Sequence, residues 1–167
     1  GKPNQPIHNP GICGIKIFMG SSTGDLLVDE EEALEMIFSE TEGVIAVHAE
    51  DEERLVQRFE THKHRTDMAA HAEWRDSETA LLATQRAVRL AKIYGRKLHV
   101  LHLTSGLEAN WLFGKTNLVQ ETVDGGRVST EVLPQHLTFD QHDVEKEGTR
   151  LKMNPPIRYS EDKEILW

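Results

Sequence analysis

Gly14-Ile-Lys16-Ile-Phe-Met19, Val44-Ile-Ala-Val-His48 and Leu98-His-Val-Leu-His102 are three short apolar runs, each bearing a metal-competent side chain at or near its end. Runs of this length, rich in β-branched residues and bounded by turn or charged residues, read as buried strands. In a parallel α/β sheet, strand ends on one edge converge on the face where ligands bind. A lysine and two histidines arriving from three successive strands therefore predict one shared site.

The segments between these runs supply the rest of the fold. Ile12 to Met19 reads as the first strand, broken by Gly20-Ser-Ser-Thr-Gly24. Asp29 is expected to cap the next helix with Glu32 as its capping-box partner, and Ala33, Leu34, Ile37 and Phe38 to form the buried stripe. Val44 to His48 is the second strand and Glu50 to Phe59 a helix. Thr61 to Asp76 is polar, rich in His and Arg, and without clear periodicity, so it reads as a long excursion in which His62 and His64 are surface residues. A helix opens at Ser77, buries Leu81, Leu82, Ala87, Val88, Leu90, Ala91 and Tyr94, and stops at Gly95. Leu98 to Leu103 is the third strand, Gly106 to Leu112 a helix, and Arg127 to Val132 a fourth strand behind Asp124-Gly-Gly126. The order β-α-β-α-α-β-α-β predicts a parallel sheet with crossover helices, an α/β fold.

Composition narrows the function. The 167 residues, 38% hydrophobic, suit a single domain over residues 1–167. A net charge of −9 argues against nucleic acid or an anionic membrane surface as partner. No apolar run approaches the roughly 20 residues of a membrane span, and the first residues resemble neither a signal nor a transit peptide. Cys13 is the sole cysteine, which excludes an internal disulfide and suggests a reducing, cytoplasmic compartment. Set in an apolar run, it is expected to be a small core residue. Glu30-Glu31-Glu32 and Glu50-Asp51-Glu52-Glu53 are expected to be solvated helix starts. The chain stops at Glu164-Ile-Leu-Trp167, in the opening of a helix, so it is expected to be a piece of a longer catalytic domain.

Strand parity sorts the candidates. Lys16 shares a face with Gly14 and Phe18, and His48 with Ala46 and Val44. His102 shares parity with Val100 and Leu98, so His99 is expected to point away, toward the helices, as a structural histidine. A lone histidine in an apolar strand is more often a hydrogen-bonded core residue than a ligand, whereas an unpaired ammonium inside Gly-Ile-Lys-Ile-Phe is costly to bury. A neutral amine there can react with carbon dioxide to form a carbamate, a carboxylate-like anion that two metals can share.

Taken together, Gly11-Ile-Cys-Gly-Ile-Lys16-Ile-Phe-Met-Gly-Ser-Ser-Thr-Gly24, Val47-His48-Ala-Glu-Asp51, Leu98-His-Val-Leu-His102-Leu-Thr-Ser105, Glu131-Val-Leu-Pro-Gln-His-Leu137 and Lys152-Met-Asn154-Pro-Pro-Ile-Arg158 resemble, in order, the middle of a dihydroorotase of the amidohydrolase superfamily. The resemblance implies part of a (β/α)8 barrel, about its fourth to seventh βα units. It implies that Lys16 is the carboxylated lysine bridging two zinc ions, that His48 and His102 hold the second metal, and that Asn154 contacts the pyrimidine ring. The implied reaction is the reversible closure of N-carbamoyl-aspartate to dihydroorotate in pyrimidine synthesis, through a hydroxide shared by the two metals. Histidine and carboxylate-type oxygen suit Zn2+.

The family's His-x-His on the first barrel strand, its proton-shuttling aspartate and its carboxylate-gripping arginine have no counterpart here. The catalytic aspartate is expected beyond residue 167, and the fragment alone is expected to be inactive. Gln135-His136 stands where many relatives carry two histidines, and His136 is given no catalytic role. Dihydropyrimidinase, hydantoinase or allantoinase would share the same metal ligands. His-Ala-Glu-Asp51 and Met-Asn-Pro-Pro-Ile157 favour dihydroorotase, since the hydantoinase group usually shows His-Ala-Glu-Asn and Thr-Pro-Pro there. A non-catalytic scaffold is the reading from another class. The expected partners are a small pyrimidine precursor and, across the exposed sheet edges, the remainder of the barrel or a second copy.

Overall fold

A computed structural model of the chain describes residues 11–20, 25–114 and 128–167. Strands β1 (Gly14–Phe18), β2 (Val44–His48), β3 (Lys97–Val100) and β4 (Val128–Thr130) form one parallel sheet in the order β1-β2-β3-β4. Helix α1 (Glu31–Glu40) joins β1 to β2; α2 (Glu52–His62), α3 (Ala69–Trp74) and α4 (Ser77–Tyr94) join β2 to β3. Helix α5 (Gly106–Phe113) follows β3, and α6 (Pro134–Thr138), α7 (Gln141–Glu147), a 3-10 turn (Gly148–Leu151) and α8 (Ser160–Leu166) follow β4. Parallel neighbours joined by helical crossovers make this an α/β fold, as the alternation predicts. No helix among the described residues is long and apolar enough to cross a membrane.

Register defines two faces. Ile15, Ile45, Leu98 and Val128 stand side by side across the four strands, and Ile17, Val47 and Val100 form the next row. Leu34 and Phe38 of α1, Ala83, Ala87, Leu90 and Ala91 of α4, and Leu112 of α5 join these rows in one buried core. On the opposite face Lys16, Ala46, His99 and Ser129 form a row, with Lys16 and Ser129 exposed. Among the described residues, α1, α4 and α5 pack on the first face; the second is the one that faces inward when a barrel closes.

Several sequence expectations are corrected. The residue capping α1 is Glu30, without a side-chain bond, rather than Asp29; Glu31 instead reaches across to Arg86 (2.6 Å) and Arg89 of α4. Asp51 caps α2 through the Arg54 N–H, so that helix starts two residues after the expected Glu50, whereas α4, capped by Asp76 through the Thr79 N–H, opens at Ser77 as expected. Leu82 is 39% exposed because α4 seats its small side chains, Ala80, Ala83 and Ala87, against the sheet. Gly95 ends that helix in the left-handed conformation, φ 64°, as expected. Cys13 is exposed because β1 begins only at Gly14. The excursion contains α3, whose six residues are too few to show a period. His64 is exposed as expected, but the His62 side chain is only 14% exposed and faces Glu73 at 3.7 Å. The expected breaks at 21–24 and Asp124-Gly-Gly126, and the expected strand start at Arg127, lie outside the described residues.

Candidate metal centre

His48 ends β2 on the inward face and is 4% exposed. Its Nε2 lies 2.8 Å from Glu50 Oε2 and its Nδ1 lies 3.1 Å from His102 Nε2. Glu50 is fully buried, and Arg75 Nη1 meets the same Oε2 at 2.6 Å. Burial alone would raise the Glu50 carboxyl, but the His48 hydrogen bond and the Arg75 charge outweigh it and hold the group below the usual carboxylate range. The anion accepts, so His48 Nε2 is the protonated nitrogen and donates to it. That leaves the Nδ1 lone pair directed at His102. The rim is drawn tight where the Met19 N–H donates to the His48 carbonyl at 3.0 Å and where a Cβ at Gly20 would run into the Glu50 backbone.

His102 reaches this position by a route that alternation does not give. Leu98 and Val100 belong to the helix-packed face, so a strand continued to His102 would turn the imidazole toward the helices. β3 instead ends at Val100, and His102 takes a left-handed backbone, φ 40°. His99 is the histidine on the inward row, beside Ala46 and Ser129, where its Nδ1 lies 2.9 Å from Ser129 Oγ and its Nε2 3.5 Å from Glu131. The expected face of His99 is thereby corrected. Burial, and after it the neighbouring His48 imidazole, push His102 down to about 4. It is therefore neutral near pH 7, the form that binds metal. Its Nδ1 is buried with no hydrogen-bond partner among the described residues.

Lys16 stands on the same face, one register step before His48: Phe18 pairs with His48 and Lys16 with Ala46. Two residues along and one strand across is about 8 Å between Cα atoms, most of which a lysine side chain spans. The ammonium lies 4.4 Å from the Phe18 ring centre, and its charge is among those that depress His102. The structure thus brings His48 and His102 together and sets Lys16 beside them. Asn154 is exposed on a strap, residues 152–158, tied down on both sides. His71 Nε2 lies 2.9 Å from the Met153 carbonyl and His136 Nε2 3.2 Å from the Pro155 carbonyl. Arg158 donates to Thr104 Oγ1 (2.9 Å), two residues beyond His102, and to the Arg75 carbonyl (2.5 Å).

The imidazole pair fits a tetrahedral metal. Two nitrogens bound to one zinc at ~2.0–2.1 Å sit about 3.3 Å apart, close to the 3.1 Å between His48 Nδ1 and His102 Nε2. No cluster of three or more His, Cys, Asp or Glu donors occurs among the described residues; a third donor from this chain would be Lys16, once converted to an oxygen-bearing carbamate. Sequence reasoning missed Glu50, read as a solvated helix start, and Arg75, placed in the polar excursion. The spacing His48-Ala-Glu50 puts both side chains on one side of an extended segment and was a usable signal; for Arg75 no local signal exists.

No protein-family model matches the chain. It is 30% identical over 171 residues to an allantoinase of Streptomyces avermitilis, covering 99% of this chain and 36% of that protein. It is 30% identical over 158 residues to a dihydroorotase of Halobacterium salinarum, covering 91% of this chain and 33% of that protein. A crystal structure of D-hydantoinase superimposes with a TM-score of 0.80 at 28% identity, covering 94% of this chain and 34% of its own. The chain therefore spans about a third of the length of the relatives it matches, and its sheet is part of the (β/α)8 barrel of such enzymes.

Proposed function

We propose, from the premise that the chain is a homologue of the cyclic amidohydrolases of the amidohydrolase superfamily, that the complete protein interconverts N-carbamoyl-aspartate and dihydroorotate by reversible hydrolysis of a ring amide. The observation that supports ring-amide hydrolysis most is the approach of His48 Nδ1 and His102 Nε2 to 3.1 Å beside Lys16, while the choice of dihydroorotate rests on His48-Ala-Glu-Asp51 and Met153-Asn-Pro-Pro-Ile157. In this reading His48 and His102 would hold zinc through ring nitrogens, and Lys16, as a carbamate formed when its amine adds to carbon dioxide and gives up a proton, would supply the oxygen donor. Zinc bound there supplies Lewis acidity and makes water nucleophilic at neutral pH. The remaining work belongs to this chain's residues: Glu50 keeps the His48 imidazole oriented, and Asn154, presented by the strap, contacts the pyrimidine ring.

A second reading has an observation of its own. The Streptomyces allantoinase aligns with 99% of this chain, the Halobacterium dihydroorotase with 91%, at the same identity. A ring-opening assay of the complete, zinc-loaded protein on dihydroorotate, allantoin, hydantoin and dihydrouracil decides between them. The proposal expects kcat/KM for dihydroorotate to exceed the others by at least about tenfold, since a site built for a substrate polar group rejects analogues lacking it. Faster turnover of allantoin establishes the second reading, and no turnover of any ring defeats both.

A further inference from the structure

Behind the imidazole pair lies a buried cluster of charge whose anchor comes from the excursion between α2 and α4. Arg75, at the C-terminal end of α3, is 5% exposed. Its seat is built. The guanidinium carbon lies 4.6 Å from the centre of the Trp74 ring, and the Trp74 indole N–H donates to the Leu55 carbonyl at 2.7 Å. Arg58 donates to the Glu73 and Trp74 carbonyls, fastening α3 to α2. From this seat Arg75 Nη1 reaches Glu50 Oε2 at 2.6 Å, the oxygen that accepts from His48 Nε2 at 2.8 Å.

Both nitrogens of His48 are thus spoken for, one by Glu50 and the other by the His102 side. A neutral imidazole carries a single N–H, so whichever contact fixes that hydrogen also fixes where the lone pair points. A buried carboxylate oxygen held in place by a guanidinium fixes it at Nε2. We infer that Arg75 is a positioning residue for His48: by clamping Glu50 it holds the imidazole in the Nε2–H tautomer, with the Nδ1 lone pair aimed at His102 Nε2. The inference deepens the metal-site reading and rests on it for its purpose, but the tautomer itself exists with or without metal. Lysine is a poor substitute, because an ammonium lacks the flat guanidinium face that Arg75 sets against the Trp74 ring while Nη1 reaches Glu50.

The test uses the complete protein with 15N-labelled histidine, in metal-free form at pH 7.5, together with chelator-competition measurement of zinc affinity and a thermal melt for each variant. In the wild type the His48 nitrogen shifts should report a single Nε2–H tautomer. Arg75→Met should give a mixture of tautomers and weaken zinc binding by roughly 10–100-fold, the range typical of lost partners to a ligating histidine. Arg75→Lys should recover only part of both. Arg65→Met, which removes an exposed arginine of the same excursion paired with Asp67 and Glu73, should match the wild type. If Arg75→Met does not fold, Glu50→Gln reads the same link, since its amide can donate to His48 and release the tautomer. A single Nε2–H tautomer and unchanged zinc affinity in the folded variants overturns the inference. The two readings part cleanly. A wild type that takes up no zinc but whose tautomer responds to Arg75→Met defeats the metal reading alone. Zinc uptake with a tautomer indifferent to both substitutions defeats the positioning role alone.

Discussion

Replacing His102 by glycine should leave the zinc-free protein more stable than replacing it by alanine, the reverse of the order in a helix interior. Both variants lose the imidazole, so the lost contact with His48 at 3.1 Å is common to them and cancels. What differs is the backbone at φ 40°. A Cβ in the left-handed region costs about 1–2 kcal/mol, which glycine avoids. Glycine gives back about 0.5–1 kcal/mol through the greater freedom of its unfolded chain. The net difference is about 0.5–1 kcal/mol in favour of His102→Gly, with His102→Asn between the two because asparagine tolerates this conformation. Urea unfolding with a chelator present resolves such a difference through the midpoint, provided the slope is the same in both variants. Equal stability, or a more stable alanine variant, would refute the reasoning. It would mean that β3 runs on through residue 102, with the imidazole turned to the helices as alternation dictates.

Other perturbations bear on the site and its support. Lys16→Ala should lower bound zinc from about two per chain to one or fewer and abolish ring opening, with partial rescue by short-chain carboxylic acids; normal turnover, with elemental analysis showing full zinc, would remove the carbamate from the scheme. His136 is 3% exposed, and burial pushes it down to about 4 from an ordinary 6.5. Above pH 6.5 it is neutral whether folded or unfolded, so it adds no pH dependence there. As pH falls from 6.5 toward 4 the unfolded chain takes up the proton first, and stability is lost, by at most about 3 kcal/mol. His136→Gln should flatten that part of the curve in urea titrations at pH 7.5 and 5; an unchanged slope would contradict it. Phe38→Ala, at a fully buried position of α1, should cost about 3–5 kcal/mol of unfolding free energy, read from the shift in denaturant midpoint.

The fold was legible because its signals are local. Apolar runs at 14–19, 44–48 and 98–102 announce strands, and the end of α4 is marked by one glycine in the left-handed conformation, Gly95. His48 was legible for the same reason, as a polar residue closing an apolar run. His102 does meet His48, but not by parity, because alternation holds only while a strand continues and β3 stops two residues earlier. Its turn back is a backbone property of one residue, which no periodic pattern encodes. Glu50 and Arg75 were hidden for a different reason. Taken singly, a glutamate in an acidic run and an arginine in a polar stretch look solvated. Only their meeting, 25 residues apart in sequence at 2.6 Å, makes their burial tolerable. The exposure of Cys13 follows from a strand that begins at Gly14, two residues later than its apolar run suggests.

Anomalous diffraction on either side of the zinc absorption edge, from crystals of the complete protein grown with zinc and bicarbonate, tests the central claim most directly. Two peaks ~3.5–4 Å apart are expected, one of them ~2.0–2.1 Å from both His48 Nδ1 and His102 Nε2, with density from the Lys16 side chain reaching both. A zinc peak remote from these two nitrogens, or one bonded to His48 Nε2 in place of Glu50, would contradict it.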